Sequence, residues 1–503
     1  MVLCFAILQL LCLLIWGYTP YPDSNDYLPL ARQSVLEHGI YPTASQMHEL
    51  PFIWNLGAIN TLVGSLYAFH SVYPVHILYI LMKSISVWLV FQIAKHLTND
   101  TIAFIALCVY VLYPANYGEA NSFLSEVPFT FFTLLSVYMF LKEKYMACGL
   151  CLAIGNWYRP LSLVLLAILI LLVVYQKKRH SFQYIGRIVG VYLFFNISVG
   201  FVNYHNTGRF FSQAHTGWMN LMRHSWINDQ NKEADYALFE HHHPMYVPND
   251  NCIDPITRDH VWRDHFFIWL SNNKLEYLRQ MPYKLVKTYI SDNTTFCTFL
   301  QDKKDSPYLY SKLSMITLVK EFPQYTVLQW LVVYNLMYYY AFLLLAAIGA
   351  YLLLRKREVF NFILLFGMVL LYTLFIIIIA GKGESISCVV PLGEYVAVGF
   401  ELFHFGKCAC CEPRERIPPQ QGFQALHNDP FERMAVDDVT LFVGEDRRNV
   451  FFCDGAADIN RAEEGERCDL SSRAYQYDTS DSFLCTVSSQ ASDQKRLPEH
   501  GRE

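Results

Sequence analysis

Apolar residues run in long blocks along most of the chain, and short polar stretches separate the blocks. A block of about 20 apolar residues crosses a bilayer as a helix, while a block of about 10–14 makes a shorter buried or interfacial element. On that scale the pattern predicts a first span over Leu3–Trp16. Further spans follow at Val75–Ala94, Thr101–Asn116, Phe123–Leu141, Met146–Tyr158, Leu161–Tyr175, Tyr184–Tyr204, Leu328–Leu354, Val359–Ala380 and Ser387–His404. Met1–Ile15 carries no basic residue and is followed by no small-residue cleavage site, so it reads as an anchored helix rather than a removed leader.

Between the first two spans, Leu28–Gly39 has a weak helical pattern, and Leu50–Ala68 is apolar but interrupted by Asn55 and Asn60. Charge decides how the second of these is read, because Lys and Arg collect on the cytoplasmic side of membrane proteins. With Leu50–Ala68 at the interface, Lys95, Lys142, Lys144, Lys177–Arg179, Arg355–Arg357 and Lys407 all fall inside. The stretch around Asp23, Glu126, Arg159 and the whole of His205–Gln324 then fall outside. Counted as a span, Leu50–Ala68 would scatter the basic clusters over both faces. The expected fold is an all-α polytopic bundle of about ten transmembrane helices. Residues 18–72 form an interfacial first outer loop and residues 205–326 a large outer-face loop. Within the latter, Asp259–Ile290 reads as a helix with Phe266, Trp269, Leu270, Leu278, Leu285 and Val286 as its apolar positions.

Composition agrees. Of 503 residues, 53% are hydrophobic and 16% aromatic, with a mean hydropathy of +0.21, too apolar for a soluble chain with one or two cores. The formal charge of -5 is unevenly spread. From Lys407 onward, 12 Lys and Arg face 19 Asp and Glu, against 27 and 25 before it. Residues 405–503 therefore read as an acidic, Cys-containing, disordered cytoplasmic tail, with Val439–Val443 and Val450–Cys453 as its strand-like runs. Cys408, Cys410 and Cys411 lack the paired spacing of a zinc site. Of the 14 Cys, Cys252 and Cys297 fall in the outer loop, where one disulfide is possible. No feature points to nucleic acid.

Candidate chemistry gathers where spans meet the outer face. Asp23 and Asp26 follow the first span, where Pro20 and Pro22 end a helix and leave both carboxylates on a loop. A carboxylate is costly in hydrocarbon and cheap at the interface, so this placement is informative. Tyr117, Glu119, Ser125, Glu126 and Arg159 follow, then His205–His224 and the helical pair Lys284 and Lys287. Carboxylates beside cations suit a base that activates a nucleophile next to a bound phosphate. Each residue also has a plainer role. Asp26 could cap the next helix, Glu126 could sit on a helix dipole, Arg159 could snorkel to headgroups, and the lysines could line a solvated face. His241–His243, consecutive in a Pro-bounded loop, cannot easily aim three imidazoles at one ion.

The order of these positions resembles the GT-C membrane glycosyltransferases, and within them the bacterial dolichyl-phosphate-mannose-protein mannosyltransferase-like and aminoarabinose transferase-like proteins. Pro22-Asp23-Ser24-Asn25-Asp26-Tyr27-Leu28-Pro29-Leu30-Ala31 is similar to the family's first-loop pattern. Tyr113-Pro114 followed by Leu124-Ser125-Glu126-Val127-Pro128 resembles its Tyr-Pro and Ser-Glu-x-Pro signature, and Trp157-Tyr158-Arg159-Pro160 its span ending in Arg-Pro. Asn203–Arg209 and Gly217–Leu221 are similar to its Asn-Tyr and Gly-Asn-Leu elements. Where the family places Arg-Tyr-x-x-Pro before its last span, this chain reads Lys382-Gly383-Glu384-Ser385 and then Val390-Pro391.

The resemblance covers Met1 to about His404. It implies transfer of a sugar from a polyprenyl-phosphate donor to a lipid or protein acceptor at the periplasmic face of a bacterial inner membrane, among membrane lipids. Asp23 would be the base. Asp26, Tyr27, Glu126, Arg159, Lys284 and Lys382 would bind substrate, and a divalent metal, if used, would fall to Glu126 and His215. Two rivals belong to other classes. A polyisoprenoid or glycolipid transporter predicts internal repeats and charges buried within spans; the chain shows no repeat, and its charges read as lying at span ends. A non-catalytic scaffold predicts no effect of Asp23→Asn.

Overall fold

The computed structural model describes residues 1–18, 22–177, 180–225, 253–289 and 327–379, together with eight strand residues between 435 and 451. The chain divides into two units, Met1–Glu412 and Pro413–Glu503. In the second unit, two-residue strands pair antiparallel as Ala435–Val436 with Val439–Thr440 and as Phe442–Val443 with Val450–Phe451. The first unit is helical in all its described elements.

Helix α1 spans Val2–Trp16 and α2 spans Pro22–Leu36. The second helix overturns the reading of Asp23 and Asp26 as loop residues. Pro22 does not stop a helix; it opens one, at the position where a missing N–H costs nothing and the fixed φ is already helical. Asp23 falls in the first turn, where the helix dipole favours a carboxylate. Asp26 lies within the helix and is exposed, so it is not a cap. Helices α3 (Gln46–Glu49) and α4 (Leu56–Phe69) complete this region. At about 1.5 Å per residue, a 14-residue α4 is too short to cross a bilayer.

Helix α5 (Tyr73–Leu97) is 25 residues long and anchors the bundle. Helix α6 covers Asp100–Leu112, and the expected Thr101–Asn116 span ends there. Tyr113 precedes Pro114, which excludes the helical conformation for Tyr113, and its ψ is 112°. The chain continues as two 3₁₀ turns, Pro114–Asn116 and Glu119–Asn121, bent 69° from α6. Then come α7 (Glu126–Leu141), α8 (Tyr145–Tyr158), α9 (Ser162–Tyr175) and α10 (Ser181–Thr207). Helices α8 and α10 touch at Gly149, where an added Cβ would stand 2.4 Å from the Ile188 carbonyl oxygen.

In the outer segment, α11 (Gly217–Ser225) packs on α12 (Pro255–Tyr289), which bends at Asn273. Phe266 and Trp262 bury themselves there, whereas Leu278, Leu285 and Val286 are exposed. The apolar positions of α12 thus occupy two faces, not one. The chain resumes in α13 (Val327–Arg355), α14 (Val359–Phe362), a π turn over Ile363–Gly367, and α15 (Met368–Ile379). Among the described residues, three helices are long and apolar enough to cross a membrane: α5, α10 and the Val333–Arg355 part of α13. The broken pair after Asn99 makes a fourth if it counts as one span. The remaining apolar helices are shorter, so this is a helical membrane protein whose helix lengths alone do not give ten crossings.

Candidate functional site

Four helix ends meet around a buried polar cluster. Tyr27 comes from the second turn of α2, Asn55 caps the start of α4, Ser125 and Glu126 open α7, and Arg159 follows the last residue of α8. Pro128 stands in the first turn of α7, where its missing N–H is not needed. Arg159 has left the helix because Pro160 disfavours helical geometry in the residue before it. Gly57 lets α4 approach α8, since a Cβ there would lie 2.9 Å from the Tyr158 ring.

The contacts form one network. Asn55 Nδ2 donates to the Tyr27 hydroxyl at 2.9 Å and to Ser125 Oγ at 3.2 Å. Arg159 Nε donates to the same Ser125 oxygen at 2.9 Å, and Arg159 Nη2 pairs with Glu126 Oε1 at 2.9 Å. Ser125 in turn donates to Glu126 Oε2 at 3.4 Å. Glu126 is 5% and Arg159 13% exposed in their side chains, so the pair is largely withdrawn from water, with the cation the more exposed of the two. Tyr27 is fully buried. Burial pushes its hydroxyl well above the usual range, and the carboxylates of Asp23 and then Glu126 push it further, against Arg159 and the Asn55 hydrogen bond. Asp23, one turn before Tyr27, therefore shares a neighbourhood with Glu126 and Arg159. Burial also raises the Asp26 carboxyl.

Tyr79, on α5, sends a fully buried hydroxyl within electrostatic reach of Tyr158, Tyr27 and Glu126. That hydroxyl has no hydrogen-bond partner among the described residues. Tyr372 of α15 donates to the Leu161 carbonyl at 2.8 Å and feels Arg159.

A second buried ion pair lies one turn further along α5. Lys83 Nζ meets Glu119 Oε2 at 2.5 Å, with side chains 2% and 7% exposed, and donates to Asn116 Oδ1 at 2.8 Å. Gln9 of α1 donates to the Asn116 carbonyl at 2.6 Å, and Asn116 Nδ2 to the Tyr110 carbonyl at 2.8 Å. Charges are thus not confined to span ends: Lys83 sits in the middle of α5. One lysine in an otherwise apolar run was the signal available in the sequence.

Other expected residues have surroundings of their own. Lys284 is buried on α12, its ammonium 5.1 Å from the centre of the Tyr277 ring, and burial pushes its pKa down to about 8. It does not line a solvated face. His215 donates its backbone N–H to Ile53 O at 3.0 Å and places Nδ1 3.7 Å from Asp259 Oδ2. Asp259 also accepts from the backbone N–H groups of Trp218 and Met219, which open α11. Glu126 and His215 are therefore engaged in separate networks, and among the described residues no group of three His, Cys, Asp or Glu could hold a metal ion. The residues do not fit a divalent ion. Lys382, His241–His243, Cys252 and Cys297 lie outside the described residues.

Comparison with protein families, curated proteins and solved structures gives no match to this chain.

Proposed function

We propose that the chain is a membrane glycosyltransferase of the GT-C type, which moves a sugar from a polyprenyl-phosphate carrier to a lipid or protein hydroxyl. The convergence of Asp23, Glu126 and Arg159 around Tyr27 carries this reading, because positions far apart in sequence share one neighbourhood in the order the resemblance requires. Asp23 takes the proton of the acceptor hydroxyl as its oxygen attacks the anomeric carbon. The bond from that carbon to the phosphate oxygen breaks, and polyprenyl phosphate leaves as an anion. Arg159 has five N–H donors, of which Ser125 and Glu126 engage two, and its planar head can clamp phosphate oxygens. Ser125 and Glu126 fix the plane of that head. The site belongs to the end of the bundle opposite the basic turns, which corresponds to the outer face of a bacterial inner membrane, with about ten crossings in all.

The test is transfer of radiolabelled sugar from a polyprenyl-phosphate donor by the purified full chain, wild type against Asp23→Asn. The expected outcome is a variant that binds carrier and transfers nothing. Unchanged turnover would remove Asp23, and no transfer by the wild type to any lipid or peptide acceptor would remove the reaction. The Lys83–Glu119 pair buried within α5 favours a second reading, a glycolipid transporter, since charges inside spans mark transport pathways. That reading expects Lys83→Met to stop lipid translocation in vesicles while Asp23→Asn leaves it intact.

A further inference from the structure

The short segment between α10 and α11 is tied to four neighbours, and two of these lead to the Arg159 cluster. Asn203 Nδ2 of α10 donates to the Phe211 carbonyl at 2.7 Å. Asn156 Nδ2 of α8 donates to Gln213 Oε1 at 3.4 Å and to Asn196 Oδ1 of α10 at 2.9 Å. His215 gives its N–H to the Ile53 carbonyl, and Asp259 Oδ2 stands 3.7 Å from its Nδ1. Asn156 comes three residues before Arg159, about one helical turn or roughly 5 Å along α8. Ile53 comes two residues before Asn55, which joins Tyr27 to Ser125.

Gln213 and His215 each have one edge fixed and another open. Asn156 and Asp259 are buried, whereas Gln213 is exposed and the His215 side chain is 23% exposed. An exposed glutamine ordinarily samples many rotamers, and a ligand that stops it loses affinity to that ordering. Here Asn156 and Asp259 hold the amide and the imidazole in advance. Gln213 Nε2, His215 Nε2 and the buried Asn156 Oδ1 meet no partner among the described residues. With Asp259 opposite Nδ1 the ring proton belongs there, which leaves Nε2 as an acceptor. The open groups are thus an amide N–H pair and two acceptors, with no carboxylate or ammonium among them. An interhelical amide clamp accounts for Asn156 and Asn196. It does not account for the exposed Gln213 joined to them, or for an Asn156 oxygen left without a donor.

We infer, on the glycosyltransferase reading in which Arg159 holds the phosphate, that Gln213 and His215 bind the sugar of the donor and that this sugar is uncharged. The sugar is joined to the phosphate through a single oxygen, so its ring lies within about its own width of the cation. Asn156 and Gln213 stand at that distance along α8. Sugar hydroxyls both donate and accept, and an amide beside an imidazole meets them in both senses. An amino sugar would find no carboxylate at these open edges, and a uronic acid would find no cation besides the one the phosphate takes.

The test separates sugar from phosphate by comparing loaded with bare carrier. The full chain in detergent is titrated in native mass spectrometry with polyprenyl phosphate, bare or bearing glucose, mannose, galactose, glucosamine or glucuronic acid. At least one of the three neutral hexosyl carriers should bind at least fivefold tighter than the bare carrier and than both charged ones. Gln213→Ala should bring that carrier to parity with the bare one, while bare-carrier affinity and melting temperature stay unchanged. Gln213→Glu keeps an oxygen for Asn156 and replaces the open N–H edge with a carboxylate, so it should turn the preference toward the glucosaminyl carrier. Failure of the wild type to bind even bare carrier would remove the glycosyltransferase reading and this inference with it. Binding of bare carrier with no gain from any neutral hexose, a preference for a charged sugar, or a preference that survives Gln213→Ala or Gln213→Glu would overturn the inference alone.

Discussion

The two buried ion pairs of the bundle have similar chemistry and different surroundings. Lys83–Glu119 is closed in by Asn116, itself tied to Gln9 and Tyr110, and both of its side chains are almost without exposure. Arg159–Glu126 has Ser125 as its neighbour, and the cation keeps 13% of its side-chain surface. Removing one partner of a sealed pair leaves a charge that nothing can solvate, whereas a pair open on one side can admit water or a ligand. The first pair therefore holds the segment from Tyr113 to Ser125 in place. The second is the less sealed of the two.

The largest expected effect tests the sealed pair. Lys83→Met should cost roughly 3–5 kcal/mol of stability, and Lys83→Met/Glu119→Leu should recover most of it, as read by denaturant unfolding in detergent micelles. Equal damage from both variants would show that the pair's charges are not what matters. Arg159→Met should cost less, roughly 1–3 kcal/mol, because its site can rehydrate, yet it should abolish sugar transfer.

Lys284 is a third buried cation, its ammonium over the Tyr277 ring, and it sharpens the comparison through pH. Its folded pKa of about 8 lies below the ordinary 10.5, so the folded state disfavours its charged form. Its contribution is best above about pH 10.5 and is lost as pH falls through about 8. Lys284→Met should therefore stabilise the protein by on the order of 2 kcal/mol at pH 7, with the gain shrinking toward pH 10. A pH-independent gain would place its origin in packing. The smallest effect is expected at Tyr79, whose hydroxyl has no hydrogen-bond partner among the described residues. Tyr79→Phe should shift stability by less than about 0.5 kcal/mol in denaturant unfolding, and a larger loss would show that the hydroxyl is bonded after all.

How much of this was legible in the sequence varies residue by residue. Asp23 and Arg159 stood out because each is next to a proline, and Glu126 because Pro128 follows two residues later. Asn55 registered only as an interruption in an apolar run, although it joins Tyr27 to Ser125. Lys83 was hidden because one charge hardly alters the mean hydropathy of 25 residues. Helix α2 was misread because a proline pair marks a stop and a start equally well, and only the following residues tell which. The plainer reading of Lys284, a solvated face, fails because periodicity finds an apolar face but not the face that a neighbouring helix covers.

The break at Tyr113–Pro114 reaches beyond the site. Irregular backbone inside a membrane is tolerated only where protein groups satisfy it, and here Gln9 and His76 bond the carbonyls of Asn116 and Ala120 while Lys83 holds the Asn116 side chain. Three side chains from two helices thus act as scaffolding for a single kink. None can change alone without stranding the others. A chain that keeps this kink should keep a glutamine midway along its first helix, and a histidine and a lysine seven residues apart on the helix beside it.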